Sequence, residues 1–101
     1  MNANHVARVA TAKIPAEMIG PGRTLWEQRI IPAMKAAPGF RHVYVLGDDK
    51  SGTVMTISLW DSEAQAEAWE QCEAHKTMRG HLGSLMKSVP TPDTFHVKLE
   101  S

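Results

Sequence analysis

The sequence predicts an α+β domain in which four strands and two helices follow one another in the order β-α-β-β-α-β. Three observations carry that expectation. Apolar residues alternate in four short segments, they recur at helical spacing in two longer ones, and clusters of Gly, Pro and Asp separate the segments. At 101 residues one domain, residues 1–101, is expected, because halves would be too small to bury a core.

The first segment, Val6 to Ile14, is rich in small and β-branched residues and reads as strand one. Pro15 and the cluster Gly20-Pro21-Gly22 read as a loop after it. Trp26, Ile30, Ala33, Met34 and Ala37 then make one apolar stripe and predict helix one. Pro32 lies inside that stripe, where its missing N–H should kink the helix or divide it. Pro38-Gly39 stops the helix. From Phe40 to Leu46 the set Phe40, His42, Tyr44, Leu46 alternates against Arg41, Val43, Val45, which predicts strand two. Residues 47–52 form a polar turn, so Thr53 to Trp60 should return beside strand two as a hairpin.

Helix two opens at Asp61-Ser62-Glu63, where Ser62 and Gln65 match a capping box. Ala68, Trp69, Cys72 and His75 follow as the stripe that faces the sheet. Leu82, Leu85, Met86 and Val89 predict a shorter terminal helix, and Thr94 to Leu99 alternates as the last strand. The whole is the split βαβ, ferredoxin-like plan: a four-stranded antiparallel sheet with both helices on one face. Bulky residues occupy both alternating sets of strands two and three. Val43, Val45, Met55, Ile57 and Leu59 are expected on one set, with Tyr44, Leu46, Val54 and Trp60 on the other. A monomer would leave one set wet, so a homodimer with facing sheets is expected.

Composition narrows the function. Eleven basic against eleven acidic residues give zero formal charge, which provides no field for a nucleic-acid backbone or an anionic membrane. A single cysteine, Cys72, excludes an internal disulfide, and no paired Cys/His spacing supports a metal site. No segment approaches the roughly 20 apolar residues of a membrane span, and a reducing, cytoplasmic setting is expected.

The strings Pro38-Gly39-Phe40, Leu59-Trp60-Asp61-Ser62-Glu63, Ala68-Trp69 and His75 give the chain a family likeness. Over nearly its whole length it resembles the antibiotic biosynthesis monooxygenase domain of the dimeric α+β barrel superfamily. The resemblance implies a dimer of ferredoxin-like subunits with a pocket between sheet and helices. It also implies cofactor-independent oxygenation of phenolic or quinol-type aromatics, haem binding and degradation, or a non-catalytic dimer that binds a small ligand. In haem-degrading members an Asn stands within strand one, whereas here the strand reads Val6-Ala7-Arg8-Val9-Ala10-Thr11. Haem is therefore the alternative, and no cofactor is the first expectation.

His75 and Trp69 are the candidate catalytic pair. An imidazole near neutral pKa can deprotonate a phenol, and Trp69 falls where the resemblance implies a pocket tryptophan. Gln65, Cys72, Trp26, Met55 and Tyr44 are candidates to contact the substrate, Gln65 because relatives can carry a substrate-binding Asn at that place. Core packing for Trp69 and capping for Gln65 are the simpler roles.

Overall fold

The alternation of the first segment becomes strand β1, Val6–Lys13, which is central in the sheet. The computed structural model describes residues 5–83 and 92–99 of the chain. Strand β2 runs Phe40–Asp48, β3 Thr53–Trp60 and β4 Asp93–His96. They form one antiparallel sheet in the order β2-β3-β1-β4, with the helices on one face. The expected fold is therefore the observed one. The expected terminal helix through Leu85, Met86 and Val89 lies outside the described residues.

Register corrects the assignment of the two sheet faces. Tyr44 pairs with Ile57 and Leu46 with Met55, whereas Val43 pairs with Ser58 and Val45 with Thr56. Directly paired residues share a face, so Val43 and Val45 lie with Val54 and Trp60 toward the helices. Tyr44 and Leu46 lie with Met55, Ile57 and Leu59 on the open face. Phe40 also joins the helix side, because the register shifts between Phe40 and His42 and leaves Arg41 as an extra residue. Strict alternation had grouped Phe40 with Tyr44; the bulge reverses it.

The glycine-proline cluster is helical rather than a loop. Helix α1 spans Ile19–Leu25 after a 3-10 turn at Ala16–Met18. Pro21 sits in its first turn, where a missing N–H costs nothing because no intrahelical acceptor precedes it. A π-turn, Trp26–Ile30, and helix α2, Ile31–Lys35, continue the same right-handed path. The Ile31 N–H donates to the Trp26 carbonyl, five residues back. Pro32 therefore neither divides nor sharply breaks the helix; one widened turn just before it absorbs the lost donor.

Helix α3, Glu63–Gln71, starts as the capping pattern requires: the Gln65 N–H donates to Ser62 Oγ at 3.2 Å. The Ser62 hydroxyl in turn meets Gln65 Oε1 at 3.2 Å, side chain to side chain. Ala66, not Ala68, is the buried alanine of this helix. The helix ends at Gln71, and helix α4, Glu73–Gly83, begins after Cys72. The single helix two of the sequence reading is thus two helices.

Ile30, Met34, Trp60, Ala66 and Trp69 form the buried core, with Phe40, Val43 and Cys72 among the residues packed round it. Gly39 links the core to the cap. Its φ is +83°, and a Cβ there would meet Gln65 Oε1 at 2.3 Å. Gly39→Ala should therefore lose on the order of 2 kcal/mol, from the left-handed backbone and the clash together. Adding Gln65→Ala removes the Oε1 and Cδ contacts but keeps Cβ, 2.8 Å from the new methyl, so it should restore only part of the steric cost, as urea denaturation of the single and double variants will show.

Candidate functional site

Trp60, at the end of β3, is completely buried. Its indole N–H donates to Ser58 Oγ at 3.0 Å, so neither polar atom enters the core unpartnered. Phe40 meets Trp60 edge-on at 5.6 Å between centroids, and Trp69 stacks on it at 6.1 Å and 28°. His75 then meets Trp69 edge-on at 5.5 Å and 79°. The structure thus brings the two candidate catalytic residues into contact, with Trp69 7% and His75 6% exposed.

Helical spacing alone would have kept them apart. Six residues of regular α-helix place two side chains about 240° apart around the axis and about 9 Å apart along it. They meet because Cys72 is extended, with φ −80° and ψ 161°. Its N–H still donates to the Trp69 carbonyl, and its own carbonyl accepts from Lys76, so the break leaves the Cys72 backbone hydrogen-bonded. Glu73 in the first turn of α4 suits the positive helix end. No Gly or Pro marks the position, which is why the sequence reading ran one helix through it.

Burial lowers the His75 pKa, the positive charge of Arg79 lowers it further, and a hydrogen bond to the Glu70 backbone opposes both. The imidazole is therefore biased toward its neutral form. Among the described residues its Nδ1 has no hydrogen-bond partner. Next to it is a polar cluster that the sequence reading missed. Arg8 points from β1 into the helix layer and donates through Nη1 to Thr94 Oγ1. Its Nε lies 3.3 Å from Glu70 Oε2, an ion pair out of line for a hydrogen bond. Burial raises the Glu70 pKa, Arg8 opposes that, Glu67 adds to it and Arg79 opposes it. The signal was available: Arg8 interrupts the inward set Val6, Ala10, Ala12 of a central strand.

A cavity of about 550 Å³ lies at the other end of the sheet, between α1 with its π-turn and the β2–β3 hairpin. Trp26 lines it; Trp69 and His75 do not. Of the other candidates, Cys72 packs against the core beside Trp69, and Gln65 is engaged with Ser62 and Gly39. Met55 and Tyr44 occupy the open face of the sheet, so they do not share a cleft with His75 in this chain. No group of three His, Cys, Asp or Glu is placed to hold a metal among the described residues. No described helix is long and apolar enough to cross a membrane.

A four-stranded antiparallel sheet carrying helices on one face defines a two-layer α+β protein of ferredoxin-like plan. The chain belongs to the antibiotic biosynthesis monooxygenase family, whose profile matches residues 6–81. No curated protein matches it in sequence. Its fold is similar to that of SnoaB, a cofactor-independent oxygenase from Streptomyces nogalater, with 16% identity, a TM-score of 0.81 and 97% of each chain covered. The heme-degrading protein Rv3592 from Mycobacterium tuberculosis aligns with 19% identity and a TM-score of 0.73, over 99% of this chain and 98% of that one. A conserved protein from Methanosarcina mazei aligns with 12% identity, a TM-score of 0.81 and 95% of each chain covered.

The lowered His75 pKa fixes the sign of a pH effect. Between the folded value and the unfolded value near 6.5, the unfolded chain binds more protons, so the contribution of His75 to stability is complete above about pH 6.5 and is lost as pH falls. The raised Glu70 pKa acts oppositely, favouring the fold at low pH. The wild type should therefore lose more stability than His75→Gln between pH 7.5 and 5.5 in urea titrations, with Glu70 common to both proteins.

Proposed function

We propose that the protein is a cofactor-independent monooxygenase that oxidises a small hydroxylated aromatic, a phenol or quinol, with O₂ in the cytoplasm. The observation that carries this reading is His75: a buried imidazole, biased toward its neutral form and edge-on to Trp69, with Nδ1 unpartnered among the described residues. Such a nitrogen accepts a phenol proton at neutral pH, and the apolar surroundings keep competing water away. Trp69 supplies a flat wall to orient the ring, and Cys72 flanks it. Gln65 acts at one remove, by holding the start of the helix that carries Trp69.

Proton removal makes the aromatic electron-rich enough to pass an electron to O₂. With no external reductant, the substrate must supply all four electrons that reduce O₂. Converting a phenol to a quinone does so: one oxygen enters at the ring carbon opposite the hydroxyl and becomes C=O, and the other leaves as water with the hydrogen of that carbon and the hydrogen of the hydroxyl. Family membership and the fold likeness to SnoaB support the reading.

Haem is the alternative, supported by the fold likeness to the heme-degrading protein Rv3592; the cavity wall would offer iron the Met18 thioether and the Glu27 and Asp49 carboxylates rather than an imidazole, thiolate or phenol.

The open face of the sheet supports a homodimer. Tyr44, Leu46 and Phe95 are 53%, 47% and 56% exposed beside Met55, Ile57 and Leu59, an apolar surface that a second copy would cover. On this reading Tyr44 and Met55 belong to the interface.

Two measurements test these proposals. Wild-type protein should consume O₂ with members of a phenol and quinol panel and no added cofactor, and His75→Gln should lower that rate about 10²- to 10⁴-fold with the fold intact. An unchanged rate removes His75 from the mechanism. Sedimentation should give a dimer at micromolar concentration, and Ile57→Asp should give a folded monomer; a monomeric wild type defeats the interface.

A further inference from the structure

The bulge at Arg41 decides which way His42 points. Phe40 pairs with Trp60 toward the helices; after the extra residue His42 pairs with Leu59, which sends the imidazole to the open face of the sheet. There it stacks on Tyr44 at 6.4 Å and 28°, and both rings are exposed. Across the sheet the row that begins at His42 continues through Leu59 and Ala7 to Phe95, all apolar. The next row runs Tyr44, Ile57, Val9 and Asp93. His42 is thus a titratable group set into the hydrocarbon side of the molecule.

The charged groups of this face stand away from it or are already paired. Arg41, its neighbour in the chain, is tied to Asp61 at 2.8 Å. Asp93 lies on β4, three strands away from β2, or about 14 Å. Asp48, Thr53 and Lys13 close the opposite end, about 20 Å along the strand. His5 lies just before β1, at the same end as His42. The helices, with His75, Glu70 and Arg79, pack on the other side of the sheet. What shares the row of the imidazole is hydrocarbon.

We propose that His42 makes the association of two copies through this face depend on pH: neutral imidazoles pack into the interface, and protonated ones keep the copies apart. The proposal rests on the homodimer reading and adds its regulation; it is independent of the oxygenase reading. A twofold interface uses the same patch twice, so each dimer encloses two of these rings. The second copy lays the same apolar residues over them, and burying an imidazolium there without a counter-ion is costly. A histidine ordinarily takes its proton near pH 6.5, so acidification below that value charges both rings and opposes their burial.

Sedimentation over a concentration series at pH 7.5 and 5.5, with circular dichroism confirming the fold at both, tests it. The wild-type dimer dissociation constant should rise about 100-fold from pH 7.5 to 5.5, close to tenfold for each of the two rings. His42→Phe keeps a ring beside Tyr44 without a titrating nitrogen and should lose that dependence. His5→Gln and His75→Gln change histidines outside the row and should keep it. The switch is overturned if the wild-type constant is the same at both pH values, or if the dimer tightens at pH 5.5, as a facing carboxylate such as Asp93 would make it. It is equally overturned if His42→Phe retains the response or if His5→Gln or His75→Gln abolishes it. A wild type that is monomeric at both pH values overturns the interface together with the switch, whereas a dimer of equal strength at both removes the switch alone.

Discussion

Stacking of Trp69 on Trp60 is the contact on which the rest of the molecule turns. Trp60 ends the central hairpin strand β3, and Trp69 is the anchor of α3, so their overlap fixes how the second helix layer sits on the sheet. Phe40 and His75 close on the two sides of that pair, each edge-on, the arrangement favoured by ring quadrupoles. The same stack that organises the hydrophobic interior therefore places the buried base. Stability and the proposed chemistry share these residues, and a change to either indole affects both.

Where apolar period and capping chemistry decided the outcome, the fold was legible in the sequence. The hairpin, the Ser62 cap and the sheet with helices on one side follow from residues that obey local rules. Three features did not. The bulge at Arg41 moved Phe40 to the other face, because one inserted residue inverts a period of two. The Gly-Pro-Gly cluster became helical because a proline in a first turn loses no hydrogen bond. The break at Cys72 has no Gly or Pro to announce it, although the residue is extended there.

The site was legible in part for the same reason. Trp69 and His75 could be named by residue type and family likeness, but their contact depends on the Cys72 break. Tyr44 and Met55 were grouped with them on composition, and register sends both to the far side of the sheet. The cavity is walled in part by a π-turn, which has no periodic signature. Arg8 and Glu70 were overlooked because a lone charge on a β-rich segment is ordinarily a solvated one; only the central position of β1 shows that this one is enclosed.

The Arg41 bulge has a bearing on solubility. Strand β2 lies at the margin of the sheet, nine residues long, and among the described residues no strand neighbours its outer side. Such a margin invites another chain to extend the ladder into a fibre. The extra residue skews the strand near its start, and the charged head of Arg41, tied to Asp61 at 2.8 Å, stands beside the distortion. A ladder-adding neighbour meets a mismatched register and a charge there, so the chain carries its own guard against self-templating growth along that margin.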